Sequence, residues 1–247
     1  MIPKKIHYCW FGGKPKSKLV KKCIKSWMKF FPNYDIIEWN ESNFDLDACK
    51  YVREAYEAGK WAFVSDYARY KILYDEGGIY FDTDVEVIKP FDDIIGCGAF
   101  LGCENPDTNT PLAVNPGLGC ATEAKNEFFR EMLGEYESAS FYKNDGALDL
   151  STIVERTTER LKIHGLENKN EIQSAMGISV YPSEYFCPIN MNTGKLEITK
   201  NTHSIHRYTG SWVDPITRFR GKVYFILVRV FGEKSAEWLR SIVGRKN

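Results

Sequence analysis

Apolar residues recur along this chain with two periods, and the periods alternate in order. Ile6-His-Tyr-Cys-Trp-Phe11 is β-branched and aromatic and halts at Gly12-Gly13, which predicts a strand running into a loop. From Ser17 onward Leu19, Val20, Cys23, Ile24, Trp27, Met28 and Phe31 fall at helical spacing, with Ser17 as N-cap and Pro32-Asn33 as the stop. Residues 34–39 predict a second strand. A helical pattern through Tyr51, Val52, Ala55 and Tyr56 ends near Gly59, and a longer one runs over 61–76 into Gly77-Gly78 at the C-cap position. A short apolar strand ending in Asp82-Thr-Asp84 follows, then a strand over 85–88 stopped by Pro90. Residues 96–116 are rich in glycine, proline and asparagine and predict loops and short strands. Helical patterns return over 125–138 and 150–163, and 178–212 is strand- and turn-rich.

This alternation predicts an α/β sandwich around a largely parallel sheet, filling residues 1–247 as a single domain with a basic and apolar helical tail over 216–247. Such sheets take ligands at the carboxyl ends of their strands, where the Trp10 loop and the aspartate pair both fall. With 43% hydrophobic and 14% aromatic residues the chain can build a substantial core. Lys+Arg and Asp+Glu each total 33, so the net charge is zero and no nucleic-acid partner is expected. The seven cysteines lack any C-x-x-C pair, which fits free thiols in a reducing compartment. The first residues lack the apolar core of a secretory signal, and the apolar run over 223–230 is interrupted by Arg229, well short of the ~20 residues of a spanning helix. A cytoplasmic location is the expectation. The tail reads as a helix packed on the domain; the alternative lays it on an anionic membrane surface, beside a lipid-linked acceptor.

Four clusters carry candidate chemistry. Side chains alternate along a strand, so Asp82 and Asp84 are expected to point the same way, and paired carboxylates call for a positive partner such as Mg²⁺ or Mn²⁺; the alternative is that the pair simply makes a turn or cap. Trp10-Phe11-Gly12-Gly13 offers a ring for stacking and backbone that a ligand can approach closely. In Ser65-Asp-Tyr-Ala-Arg69, Asp66 and Arg69 share a helix face, which makes either a solvated ion pair or an anion and hydroxyl site. His203-Ser-Ile-His-Arg-Tyr-Thr-Gly-Ser-Trp212 supplies two histidines, a hydroxyl and an indole N–H.

Together these motifs resemble the DXD-sugar-binding glycosyltransferases of family 32, which include yeast mannosyltransferases and bacterial capsular-polysaccharide enzymes, and whose core motifs the clostridial glucosylating toxins share. The resemblance is carried by residues 2–95 and returns over 178–212. It implies a GT-A fold, a Rossmann-like nucleotide-binding sandwich, and transfer of a sugar from a nucleotide-sugar donor with retention of configuration. It also implies roles. Trp10, with Phe11 and Gly12 beside it, stacks on the base. Asp66 and Arg69 hold the donor sugar, Arg69 reaching toward the phosphates, and Tyr80 packs beneath. Asp82 contacts ribose, sugar or metal, Asp84 and His206 ligate Mn²⁺ or Mg²⁺, and Ser211 and Trp212 line the diphosphate. Asp82, Asp84, Arg69 and Trp212 form the catalytic group. UDP-hexose is favoured as donor over GDP-mannose, with a glycan or lipid-linked saccharide as acceptor in cell-surface polysaccharide synthesis. Residues 105–115 and 145–152 are expected to shape the acceptor side, with Asp149 a candidate there.

Two rivals are weighed. A nucleotide-sugar-binding module that has lost catalysis is disfavoured because all four clusters are present. Haloacid-dehalogenase-like phosphatases also place D-x-D after an apolar strand, but carry Thr or Val where this chain has Glu86.

Overall fold

The computed structural model describes residues 1–104, 111–190 and 194–208. Strand β1 (Lys5–Cys9) leads through the Trp10 loop to α1 (Lys18–Phe30). The Ser17 hydroxyl accepts from the Val20 amide at 3.2 Å and caps that helix, as its position predicts. Strand β2 (Asp35–Trp39), α2 (Lys50–Glu57) and α3 (Trp61–Glu76) follow. Gly77 ends α3 with φ +63°, and Gly78 has φ +106°; a Cβ on Gly78 would lie 2.8 Å from the Lys5 carbonyl, so this turn requires glycine twice over. Then come β3 (Gly78–Tyr80), β4 (Val85–Val87), the one-turn helix α4 (Asp92–Ile95), β5 (Phe100–Gly102) and β6 (Cys120–Thr122). Helices α5 (Glu127–Ser138) and α6 (Ile153–Ile163) precede β7 (Gln173–Ala175), β8 (Ile178–Tyr181) and β9 (Ser204–His206).

Seven strands make one sheet in the order β2-β1-β3-β6-β5-β8-β7. β1 pairs in parallel with β2 and β3, and β5 with β8; β6 runs antiparallel to both its neighbours, and β7 antiparallel to β8. Five strands therefore point one way and two point back. This mostly parallel α/β sheet, with helices on its faces, is the architecture expected of a GT-A fold. Alternation along β3 sends Ile79 to one core and Tyr80 to the other. One core packs α2, α3, α5 and α6 on the sheet; the opposite one holds α1 and an aromatic cluster around Phe81, Phe91, Phe100 and Phe186.

One local prediction is corrected. β3 ends at Tyr80, so Asp82 and Asp84 stand in a turn closed by the Val85 amide on the Asp82 carbonyl at 3.0 Å. β4 does not extend the main sheet but pairs with β9 in a separate two-stranded ribbon. All seven cysteines are free thiols. Among the described residues no helix is long and apolar enough to cross a membrane. The tail over 216–247, with Ser211 and Trp212, lies outside the described residues.

Candidate active site

β1, β3 and β5 point the same way, so the segments after them emerge at one end of the sheet. The turn over Asn115–Leu118 enters β6 from that end, because β6 runs backwards. Four stretches of sequence thus meet: the Trp10 loop, the aspartate turn, Glu104 and the Asn115 turn. The ribbon of β4 and β9 adds His206, registered opposite Val85.

Arg69 lies at the centre. Its side chain is 4% exposed, and its guanidinium sits 4.8 Å above the buried Tyr80 ring. Nη2 donates to Asp82 Oδ1 at 3.0 Å and to Asp66 Oδ1 at 3.2 Å. The Asp66–Arg69 pair is thus no solvated surface pair. Nη1 is buried without a partner. Burial pushes the Asp66 carboxyl up to about 7, with Arg69 opposing and the Asp82 charge adding to the rise. Asp82 is raised as well, by burial first and by Asp84, against the pull of Arg69 and His206.

Asp82 is fixed from the other side by the Asn115 turn. The Asp82 amide donates to the Gly117 carbonyl at 3.1 Å, and a Cβ on Gly117 would stand 2.1 Å from Asp82 Oδ2. Asn115 Oδ1 accepts from the Gly117 amide at 2.7 Å, while Asn115 Nδ2 donates to Glu104 at 2.7 Å. Gly117 and Glu104 stand outside every site segment read from the sequence, and Asn115 is the last residue of the 105–115 stretch expected on the acceptor side. The only signal was the turn chemistry of Asn115-Pro-Gly117, which marks a loop without saying what the loop touches.

Asp84 faces elsewhere. Its Oδ1 lies 2.9 Å from His206 Nε2, and its carbonyl accepts from the Arg207 amide at 3.0 Å. His206 Nδ1 is buried without a partner, and the ring meets Tyr208 edge-on at 4.1 Å. Burial disfavours charge on His206, yet Asp84, Asp82 and Glu104 together raise its pKa above the ordinary value. His203 is not part of this group: its ring bridges the Asn201 carbonyl and Asp93 at 2.6 and 2.9 Å and is structural.

The Trp10 loop divides its residues. Trp10 is half-buried, with its indole N–H on the Lys14 carbonyl at 2.7 Å and Lys16 5.6 Å from its ring. Phe11 turns into the core and packs edge-to-face on Phe44, so its ring is a packing element rather than a ligand contact. The Gly12 amide is committed to Glu41 at 2.6 Å, and with φ +86° the residue lies against the Trp61 indole, where a Cβ would sit 2.5 Å from Nε1.

The donor set fits a hard divalent cation in one respect and limits it in another. Asp66 and Asp82 face the Arg69 guanidinium, Asp84 faces the His206 imidazole, and that imidazole keeps an uncommitted nitrogen. Among the described residues no three His, Cys, Asp or Glu side chains converge to hold a metal by themselves. Asp84 and His206 are together; Asp82 is turned away onto Arg69. The missing ligands of a Mg²⁺ or Mn²⁺ ion would come from diphosphate oxygens, the usual arrangement for such ions at nucleotide sites.

Residues 17–100 match the family model of the glycosyltransferase sugar-binding region containing a DXD motif. A glycosyltransferase of Acanthamoeba polyphaga mimivirus, uncharacterized glycosyltransferase L373, is 34% identical over 111 residues, 41% of this chain and 43% of that protein. The subversion of eukaryotic traffic protein A of Legionella pneumophila is 28% identical over 122 residues, 38% of this chain and 19% of that protein. The chain thus spans less than half the length of these curated relatives. Among solved structures, the PaToxG glycosyltransferase superposes with TM-score 0.44 at 21% identity, covering 54% of this chain and 59% of that one. A glycosyltransferase involved in glycosylation of the major capsid of PBCV-1 gives TM-score 0.45 at 13% identity, covering 89% and 98%.

Proposed function

We propose that this chain, whose residues 17–100 match the DXD-containing glycosyltransferase sugar-binding region, moves a hexose from a nucleotide-sugar donor to a saccharide acceptor with retention of configuration, using Mn²⁺ or Mg²⁺. The observation that carries the reading is the buried Arg69 guanidinium, fixed between Asp66 and Asp82 with Nη1 uncommitted, beside the Asp84–His206 pair. A preorganised positive group with a spare donor suits an oxygen on which charge develops during transfer. Asp84 and His206 would hold the cation. When bound, that ion neutralises the diphosphate leaving group as a Lewis acid.

Each remaining residue has a derived task. Arg69 shares the stabilisation of the departing diphosphate and orients Asp66 and Asp82 toward sugar or ribose hydroxyls. Trp10, at the mouth of the Trp10 loop, offers its ring to the base. Ser211 and Trp212 are assigned to the diphosphate by family resemblance alone. No carboxylate of the four motifs stands out as a nucleophile, which by family resemblance fits displacement without a covalent intermediate, and Glu86 in the place of Thr or Val disfavours the phosphatase reading. UDP-hexose is the favoured donor, GDP-mannose the second. The acceptor is a glycan or lipid-linked saccharide of cell-surface polysaccharide synthesis, and the protein works in the cytoplasm, with the 216–247 tail as the membrane-facing segment if the acceptor is lipid-linked.

A thermal-shift screen of UDP- and GDP-hexoses with and without Mn²⁺ tests this. One donor is expected to raise Tm only with metal, and the shift is expected to vanish in Asp84→Ala. Absence of any metal-dependent shift across the panel contradicts the proposal.

A further inference from the structure

Residues 1–34 hold nine lysines and no acidic residue, in a chain whose formal net charge is zero. Five of the nine lie on α1, at Lys18, Lys21, Lys22, Lys25 and Lys29, and all five are exposed. At 3.6 residues per turn they fall within an arc of about 100°, opposite the buried Val20, Cys23 and Trp27. α1 contains no aspartate or glutamate, so spacings of three and four set lysine against lysine along the whole face, where helices are ordinarily stabilised by opposite charges. Lys22 pairs with Glu86 at 2.6 Å, and among the described residues none of the other four joins a salt bridge. The face is a concentrated positive charge that the fold itself does not neutralise.

That face is fixed beside the candidate active site. Trp27 Nε1 donates to the Val85 carbonyl at 2.8 Å, and the Val87 amide donates to Ser26 Oγ at 2.9 Å. α1 is thereby bonded to β4, which follows the aspartate turn and pairs with the strand of His206. Glu86, held by Lys22 and by Arg207, ties the same ribbon to the lysines. Lys14, exposed and holding the Trp10 indole through its carbonyl, extends the charge onto the Trp10 loop. An array of ammonium groups on flexible stems along one straight helix suits a surface of many anionic headgroups. None of the five is arginine, so the face lacks the planar fork that grips nucleic-acid phosphates two oxygens at a time. Its edge is apolar as well: Met28 is 56% exposed, and Lys29 Nζ lies 4.7 Å from the centroid of the half-buried Phe30 ring. Such apolar edges enter the boundary between headgroups and acyl chains.

We infer that the lysine face of α1 docks on a bilayer that carries anionic lipid. α1 then forms the layer between the bilayer and the ribbon of Asp84 and His206, one helix diameter, roughly 10 Å, thick. A saccharide carried on a lipid would be presented at that depth. The surface is separate from the 216–247 tail. Docking needs neither donor nor metal, so its failure leaves the transferase reading standing, and failure of that reading leaves the docking to be judged by itself.

Co-sedimentation of the full-length chain with vesicles makes the test, using phosphatidylcholine alone and phosphatidylcholine with about a third replaced by phosphatidylglycerol. Wild type is expected to bind only the anionic vesicles and to be released as salt rises. Lys18→Gln/Lys21→Gln/Lys25→Gln removes three charges without a salt-bridge partner, so its Tm should equal or exceed that of wild type. Its partitioning onto anionic vesicles should fall at least about tenfold. Lys60→Gln/Lys143→Gln/Lys200→Gln changes the net charge equally at exposed lysines elsewhere and should bind as wild type does. Arginine at positions 18, 21 and 25 keeps the charge and should also bind as wild type does. A wild type that ignores anionic vesicles overturns the inference, and so does undiminished binding by the α1 glutamine variant. Equal losses in the two glutamine variants would mark an effect of bulk charge and overturn it, as would a loss with arginine as large as with glutamine. Tighter binding of wild type to single-stranded RNA than to anionic vesicles, lost in the α1 glutamine variant, reassigns the face to nucleic acid and overturns it too.

Discussion

His7 lies in β1 with no exposed surface and both ring nitrogens committed. Trp39 Nε1 can only donate, and it lies 3.1 Å from His7 Nδ1, so Nδ1 accepts and Nε2 carries the proton, donating to the Gly77 carbonyl at 2.9 Å. A second proton would set Nδ1–H against the Trp39 N–H. Burial lowers the His7 pKa from 6.5 to about 4. The unfolded chain then binds more protons than the folded one between those values, so stability is complete above pH 6.5 and is lost as pH falls toward 4, by on the order of 3 kcal/mol. Asp66, raised to about 7, acts in the opposite sense and gains stability on acidification. The His7 share is therefore read as a difference: between pH 7.5 and 5, wild type is expected to lose about 2 kcal/mol more than His7→Gln in urea unfolding. Equal pH dependence of the two proteins would show that His7 titrates normally. The residue pattern 6–11 announced a strand and nothing of this, because the two partners come from Trp39 and Gly77 through pairing that no local spacing encodes.

At the scale of elements, the sequence was legible wherever a local rule sufficed. α3 follows from its apolar period and Gly77, and α1 from Ser17 and Pro32. The D-x-D strand failed because its end is set by tertiary contact: the Asp82 amide leaves the strand pattern to meet Gly117. That contact makes Gly117 the element-level test. Its backbone supports Asp82 while the space of its missing side chain holds Asp82 Oδ2. Gly117→Ala has to move the carboxylate off Arg69. Calorimetry is expected to show at least tenfold weaker nucleotide-sugar binding, while the overpacking costs about 1–3 kcal/mol of stability. A variant that binds donor like wild type would mean that the Arg69–Asp82 pair is dispensable for the donor.

The whole molecule divides its labour between two faces of one sheet. On one, Tyr51, Asp66, Tyr136 and Arg156 pack among α2, α3, α5 and α6; on the other, an aromatic cluster secures the two-stranded ribbon that brings His206 to Asp84. Phe91 is the keystone of that cluster. It stacks on Phe186 at 5.5 Å, meets Phe81 and Phe100, and lies edge-on to His203 at 5.2 Å, while the Phe186 carbonyl accepts from the His206 amide at 3.3 Å. Phe129 is equally buried on the opposite face, against Tyr70 and Phe128. Phe91→Leu and Phe129→Leu remove comparable ring area, so each is expected to lower stability by about 1–3 kcal/mol. Their effects on ligand response should differ. Loosening Phe91 loosens the ribbon, and the added Tm shift from Mn²⁺ with nucleoside diphosphate should fall by more than half. Phe129→Leu should keep that shift, since neither Asp84 nor His206 depends on its face. Equal retention in both variants would show that the ribbon holds His206 without help from the aromatic core, and His206 would then be positioned by β4–β9 pairing alone.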